Sequence, residues 1–110
     1  MSLCNQLPWS IGTIDLSGRV LAAPMAGVSD RIFRTLARHH GATLAPSEMV
    51  ATEPQLRGSQ KTCQRMNHLG EPGPISIQLL GANPRYMAAA ARYSVDQGAQ
   101  LIDINMGCPA

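Results

Sequence analysis

The chain has 110 residues, 45% of them apolar, and a formal net charge of +2, which fits one small globular domain and gives no sign of a dense nucleic-acid-binding surface. The first residues lack the basic and apolar regions of a secretory signal, and no apolar run approaches the length of a membrane span. The three cysteines have neither metal-ligand nor redox-motif spacing. We therefore expect a reduced, cytoplasmic protein without a metal site.

The chain begins with strand signals. Residues 11–27 predict two short strands around a turn at Ser17 and Gly18. The second strand, near residues 20–23, is almost wholly apolar, as is typical of a strand covered on both faces. Pro24 ends it.

A helix is predicted next. Ser29 is the expected N-cap, with Asp30 in the first turn and an Asp30–Arg34 pair one turn apart. Gly41 follows a basic last turn and ends the helix. The expected apolar face consists of Ile32, Phe33, Leu36 and Ala37.

The remaining elements alternate strands with helices. They are a strand at residues 43–46, a polar excursion at 50–73 with a short helix near 60–66, a strand within 74–81, a helix capped by Asn83 and running to about residue 97, and a strand at 101–105. Repeated strand–helix units predict parallel strands with right-handed crossovers.

Parallel strands of this kind occur in doubly wound sheets and in (β/α)₈ barrels. The first strand-to-helix turn reads PMAGVSD and lacks the G-x-G-x-x-G pattern of a doubly wound nucleotide-binding fold, so the barrel is favoured. A barrel needs roughly 250 residues. We therefore expect residues 1–110 to be the N-terminal half of a TIM (β/α)₈ barrel, truncated after about the fourth strand.

Polar residues gather where the predicted strands end, which is where barrels place their active sites. Strand alternation puts Ser76 and Gln78 on the inward face, opposite the apolar residues between them. The same alternation turns Asp103 and Asn105 inward and Ile102 and Ile104 outward. The predicted strand ends also carry the turn at Pro24, Met25 and Ala26, as well as Glu48 and Cys108. Together with the inward-facing residues, they predict one polar pocket.

Each of these residues also has a purely structural interpretation. A lone cysteine is more often a small buried hydrophobe than a catalyst, although Cys108 lies in a loop between Gly107 and Pro109. Gln78 could only hydrogen-bond inside the barrel, and Asn105 could be a turn-forming cap. Glu48 could bind a ligand or only brace a neighbour.

Four stretches in order resemble the N-terminal part of the tRNA-dihydrouridine synthases. They are VLAAPMAGVSDRIFRTL, SEMV, ISIQLLGANP and GAQLIDINMGCPA, and they cover about residues 20–110. DINMGCPA is the most specific stretch, and it is most similar to the bacterial B-type branch.

The resemblance implies reduction of uridine to 5,6-dihydrouridine in tRNA, with FMN as cofactor and NAD(P)H, typically NADPH, as reductant. It also implies that the rest of the barrel and a helical tRNA-binding domain lie beyond this chain. The site residues it implies are Cys108 as general acid, Asn105 lining the flavin–uracil site, Gln78 hydrogen-bonded to the flavin ring, and Pro24, Met25 and Ala26 in contact with the flavin.

Two alternatives remain at this stage. Another FMN barrel of the dihydroorotate or dihydropyrimidine dehydrogenase type has a similar Asn-x-x-Cys-Pro turn, although APMAGVSD and SEM favour the tRNA enzymes. A non-enzymatic RNA-binding half-barrel is disfavoured by the lack of a dense basic patch.

Overall fold

The structure is a computed structural model that describes residues 9–108. Within this range β1 is Trp9–Ile11, β2 is Ile14–Leu16, α1 is Arg31–His39, β3 is Val50–Ala51, α2 is Gln60–Met66, β4 is Ser76–Leu80, α3 is Pro84–Asp96 and β5 is Leu101–Ile104, with a 3₁₀ turn at Pro54–Leu56. None of the helices in the described range combines the length and apolarity that a membrane span requires. Cys4 and Pro109, which entered the sequence predictions, lie outside the described residues.

The described part of the chain starts with a hairpin that the sequence pattern did not predict. β1 and β2 pair antiparallel, and Gly12 occupies their connection with a φ of 58°. This positive φ is accessible to glycine without a steric penalty. The turn therefore lies before β2, and the predicted turn at Ser17 and Gly18 does not join two strands.

The parallel part of the fold follows chain order. A parallel bridge joins Leu21 to Leu44, and the Ser47 N–H donates to the Ser76 carbonyl at 3.0 Å. β3 then pairs in parallel with β4, and β4 with β5. Each strand segment therefore lies beside the segment that precedes it, so the order is residues 20–22, residues 43–51, β4 and β5. This is the parallel α/β arrangement that the alternating elements predict.

The apolar stretch at residues 20–23 was wrongly predicted to be a strand covered on both faces. It forms only the single bridge at Leu21, and Val20 and Leu21 are 68% and 46% exposed. Extended pairing persists locally, since the Ala22 N–H donates to the Leu44 carbonyl at 2.9 Å. In the described residues these two apolar side chains keep a large exposed surface, and the predicted strand at residues 43–46 is likewise reduced to the bridge.

Helix α1 begins one residue later than predicted. Asp30 is the N-cap, and its carboxylate accepts from the Phe33 N–H at 2.8 Å. Ser29, the predicted cap, is buried and its hydroxyl accepts from the Met25 N–H at 2.8 Å instead. Both side chains are short acceptors, so local sequence does not distinguish which of the two backbone positions starts the helix.

The predicted Asp30–Arg34 pair is wrong because Arg34 turns inward. Its guanidinium is 2% exposed and binds the Glu71 carboxylate, with the closest N–O distance 2.7 Å. It also donates to the carbonyls of Ser29 at 2.7 Å and Asn67 at 2.8 Å. Arg34 thus fastens α1 to the end of the long excursion.

Arg38 adds a second contact between α1 and the excursion. Its guanidinium donates to the carbonyls of Gly73 and Pro74. Burial lowers the pKa of Arg38 and the nearby Glu71 carboxylate partly offsets that effect. The side chain stays protonated at any physiological pH because an arginine starts from so high a pKa.

The predicted apolar face of α1 is only partly buried. Phe33 and Ala37 are half-buried, whereas Ile32 and Leu36 are exposed, with 65% of Ile32 accessible. The packed core lies instead around β4, where Ile77 and Leu79 are 1% and 0% exposed. Its buried members are Val50, Met66, Ile75, Ile77, Leu79, Ala90 and Ala99.

The other predicted helices and strands are confirmed. α2 spans the predicted residues, and Asn83 caps α3 through its side-chain oxygen, with Pro84 in the first position. Gly98 follows α3 with a φ of 107°. β4 and β5 lie within the predicted ranges, although β5 ends at Ile104, one residue early.

Candidate active site

The centre of the site is Gln78, in the middle of β4. Its neighbours Ile77 and Leu79 point into the core against α3, so alternation turns Gln78 to the opposite face. The backbone of Gln78 is held as well, since its N–H donates to the buried hydroxyl of Ser47 at 3.0 Å. The predicted placement of Gln78 on the face opposite Ile77 and Leu79 is therefore confirmed, and the residue is 8% exposed.

The Gln78 amide joins two strands. Its Nε2 donates to Asp103 Oδ2 at 2.6 Å, and its Oε1 accepts from Asn105 Nδ2 at 3.3 Å. The register of the sheet brings these groups together, because Gln78 and Asp103 are direct partners in the β4–β5 ladder. Three predicted inward residues thus form one hydrogen-bonded row.

Asn105 connects this row to the cysteine loop. Its backbone N–H continues the ladder by donating to the Leu79 carbonyl at 2.9 Å. Its side-chain oxygen accepts from the N–H groups of Gly107 and Cys108, both at 3.0 Å. This is the turn-forming role weighed for Asn105, and here it fixes the backbone that carries a half-buried free thiol.

An open cleft of about 530 Å³ lies beside this row. It follows the C-terminal ends of β3, β4 and β5, the side where parallel α/β folds bind their ligands. It is lined by Ala51, Glu53, Leu80, Gly81, Ala82, Ile104, Asn105, Met106 and Cys108. The cleft therefore puts the thiol and one amide of the row on a common surface.

The turn after the first strand segment is held by other groups. The Met25 carbonyl accepts from the N–H groups of Val28 and Ser29, and the Gly27 N–H donates to the Glu48 carboxylate. Arg65 lies 3.9 Å from the same carboxylate. Glu48 thus braces this turn, which is one of the two roles considered for it.

The structure does not join Pro24, Met25 and Ala26 to the amide row. Met25 and Ala26 are exposed, and no hydrogen bond among residues 9–108 links this turn to Gln78 or Asn105. The prediction of a single pocket is therefore wrong in part, because the cleft is formed at the ends of β3, β4 and β5 and does not include this turn or Glu48. Residues 9–108 hold no group of three or more metal-ligating side chains.

Two contributors to the site had no assigned role in the sequence analysis. Asp103 was placed on the inward face, but its bond to Gln78 depends on the register between two strands far apart in sequence. Ser47 directly precedes Glu48 in the chain, and its hydroxyl supports the Gln78 backbone. Alternation indicates which face such residues share, but it does not indicate which of them touch.

Comparison with known proteins decides the family. The model of the dihydrouridine synthase (Dus) family matches residues 20–110. The chain belongs to the dihydrouridine synthase family. The match includes every residue of the amide row, the cysteine loop and the turn at residues 24–26, and it excludes the N-terminal hairpin.

The relatives also identify the most similar branch of the family. The chain is 55% identical over 100 residues to tRNA-dihydrouridine synthase B of Xanthomonas axonopodis pv. citri, an alignment covering 91% of this chain and 30% of that protein. It is 53% identical to the proteins of the same name in Vibrio vulnificus and Escherichia coli K12, with 31% of each covered. The chain thus spans less than a third of the length of the relatives it matches, and the resemblance to the B-type branch is confirmed.

Proposed function

We propose that this chain provides the first part of the catalytic domain of an enzyme that reduces uridine in tRNA to 5,6-dihydrouridine, with FMN as cofactor and NADPH as the reductant. The observation that carries the proposal is the row Asp103–Gln78–Asn105, which ends on the backbone of Cys108 at the C-terminal edge of the sheet. The names of the relatives supply the reaction, and this row supplies residues suited to it.

The order of the parallel segments supports the proposed (β/α)₈ barrel. In doubly wound folds the strand order reverses, as in 3-2-1-4-5-6 or 2-1-3-4-5. Here the four segments lie in chain order with no reversal. Consecutive neighbours are the arrangement that closes a barrel. We propose that the remaining strands and a helical tRNA-binding domain belong to the part of the relatives that this chain does not cover.

The amide row fits a flavin ring. Gln78 uses one Nε2 hydrogen and one lone pair of Oε1, and Asn105 uses one Nδ2 hydrogen, so donors and an acceptor remain free. The pyrimidine edge of an isoalloxazine alternates carbonyl acceptors with an N–H donor, which these free groups complement. Gln78 and Asn105 are thus the proposed ring-binding residues, and Pro24, Met25 and Ala26 provide an exposed turn for further contact. When bound, FMN supplies hydride-transfer chemistry, and the protein supplies position and electrostatics.

Cys108 is the proposed general acid. Hydride addition at C6 of uracil leaves negative charge at C5 and O4, and C5 must then accept a proton. The Cys108 thiol can carry that proton at Sγ. The Asn105 side chain fixes the Cys108 backbone at the edge of the cleft, which places the thiol where the uracil would bind. Uracil must leave the RNA base stack to reach such a cleft, so the substrate is expected to bind with the target base extruded.

A full-length chimera tests the proposed reaction. In it, this chain replaces the aligned segment of the Xanthomonas axonopodis relative, which it matches at 55% identity. Incubation with FMN, NADPH and an unmodified tRNA transcript is expected to add two hydrogens to uridine, detected by mass spectrometry of the digested nucleosides. Reduction of free uracil or oxidation of dihydroorotate at a comparable rate, with no dihydrouridine in tRNA, would instead establish the free-pyrimidine alternative. Tight RNA binding without any turnover would establish the non-enzymatic one.

A further inference from the structure

We propose that Asp103 is a positioning residue whose carboxylate sets the orientation of Gln78 and Asn105 and, through them, the backbone of Cys108. The orienting role stands on hydrogen bonds within the chain. Its importance for catalysis rests on the proposed function.

The first step is the contact between Asp103 and Gln78. An ionised carboxylate only accepts hydrogen bonds, so the amide end that faces Asp103 Oδ2 at 2.6 Å must be the Nε2 donor. The amide oxygen of Gln78 is then turned towards Asn105. A glutamine alone could adopt either of two orientations that are nearly equal in shape, and the charge removes one of them.

The second step passes this orientation to Asn105. Because Gln78 Oε1 accepts, the Asn105 end that faces it must be Nδ2, and the Asn105 oxygen is left for the loop. That oxygen accepts from the N–H groups of both Gly107 and Cys108. In the reversed orientation an NH₂ group would face two N–H donors, and the loop would lose both bonds.

The surroundings of Asp103 leave it available for this role. Neither of the ion pairs formed within residues 9–108, Arg34 with Glu71 and Arg65 with Glu48, involves Asp103, whose carboxylate accepts from Gln78. Asp103 and Gln78 are also ladder partners in the middle of paired strands. The Asp103 carboxylate therefore lies on the sheet. The backbone of Gly107 and Cys108, which it positions through Gln78 and Asn105, lies in the loop.

Amide hydrogen exchange of Gly107 and Cys108 in the flavin-free chimera tests the proposal. Asp103→Ala is expected to speed exchange of both amides by about tenfold, the effect of losing a hydrogen bond of ordinary strength. Asp96→Ala, which removes an exposed carboxylate at the end of α3, is the matched control and should leave both rates unchanged. Unchanged exchange in Asp103→Ala would overturn the proposal.

A charge swap provides a second test. In the double variant Asp103→Asn with Gln78→Glu, the new carboxylate at position 78 accepts from the new amide at position 103 on one side and from Asn105 on the other. Asn105 then keeps its orientation, so exchange of Gly107 and Cys108 should return to within about twofold of the parent. Fast exchange in the swapped variant would contradict the proposed orientation.

The exchange results are independent of turnover, so the two proposals fail separately. If the parent chimera makes no dihydrouridine but Asp103→Ala accelerates exchange and the swap restores it, the positioning role stands and the proposed function fails. If the parent modifies tRNA and Asp103→Ala leaves exchange unchanged, the positioning role fails alone. Where both hold, Asp103→Ala is expected to lower kcat for tRNA with little change in KM.

Discussion

The side-chain oxygen of Asn105 has both of its acceptor positions occupied by backbone N–H groups of the cysteine loop. The cysteine is therefore held by a side chain that belongs to the end of the sheet. This arrangement favours a reactive role for Cys108 over the interpretation as a small buried hydrophobe, since the thiol is half-buried beside an open cleft.

Replacing Cys108 with alanine is expected to separate the two halves of the reaction. In the chimera, reduction of FMN by NADPH should continue at the parent rate, because no proton from the thiol is needed for it. Dihydrouridine formation should fall by about 10²-fold or more, the usual effect of losing a general acid. Cys63→Ala, which removes the exposed free thiol of α2, is the control. Turnover on tRNA close to that of the control would contradict the assignment.

Gln78→Ala is expected to weaken retention of FMN. The substitution removes a proposed ring-binding group and leaves the half-buried side chains of Asp103 and Asn105 without their shared partner. Flavin occupancy of the purified chimera after extensive dilution measures the effect. Gln97→Ala, at an exposed position after α3, should keep full occupancy. Full occupancy in Gln78→Ala as well would make Gln78 a structural residue only.

At the scale of the elements, the fold depends on a few contacts that join distant segments. Arg34 holds α1 to the excursion through Glu71 and two backbone carbonyls. Gly81, just after β4, lies so close to the end of β3 that a Cβ would overlap the Thr52 side chain. Each of these contacts yields a stability prediction.

Arg34→Met is expected to destabilise the chimera by about 3–5 kcal/mol, because it leaves the buried Glu71 carboxylate without its partner. Urea unfolding followed by circular dichroism measures the change. Arg31→Met is the matched control, since Arg31 makes one exposed bond to the Leu69 carbonyl and should cost less than about 1 kcal/mol. Adding Glu71→Gln to Arg34→Met should recover part of the loss, and equal effects of the two single arginine variants would contradict the role of the buried pair.

Gly81→Ala is expected to lower the free energy of unfolding by about 1–3 kcal/mol, the cost of overpacking. Gly58→Ala meets open space and should change little. Thr52→Ala should partly rescue Gly81→Ala. It removes the overlapping atoms, and the Thr52 hydroxyl has no hydrogen-bond partner to lose within the described residues. A Gly81→Ala variant as stable as Gly58→Ala would show that the two strand ends can move apart.

The sequence correctly predicted the helices and strands that depend on residues close to one another in the chain. β4 and α3 follow from an alternating apolar strand, an asparagine cap and a proline in the first helical turn, all within a few residues of one another. The partner of Arg34 lies beyond α2, so the helix pattern favoured the nearer Asp30 and the prediction was wrong. The amide row was predicted as a shared face, while its hydrogen bonds required a register that no local pattern specifies.

At the scale of the whole molecule, these residues leave apolar surface uncovered. Val20 and Leu21 lie at one side of the parallel segments, and Ile104 and Met106 lie at the other, with Met106 93% exposed. Ile32 and Leu36 extend the exposed surface along α1. Exposed strands and apolar patches of this kind favour association between molecules.

A polypeptide consisting of these 110 residues is therefore expected to be oligomeric or aggregated and to carry no yellow cofactor. It contains the proposed ring contacts but leaves much of its apolar surface in water. Size-exclusion chromatography together with absorbance in the flavin band measures both properties. A monodisperse yellow monomer would show that the flavin site is complete within these residues and would contradict the proposed barrel.

The chain-order arrangement of the parallel segments also bears on how the protein emerges from the ribosome. Leu21 pairs with Leu44, Val50 with Leu79, and Ser76 with Leu101, so every strand finds its neighbour in the segment synthesised just before it. None of these three pairings within residues 9–108 needs a partner from far along the polypeptide, which keeps loop-closure entropy low at each step. The sheet can therefore grow one strand at a time during translation, and the cysteine loop is placed only when β5 docks on β4.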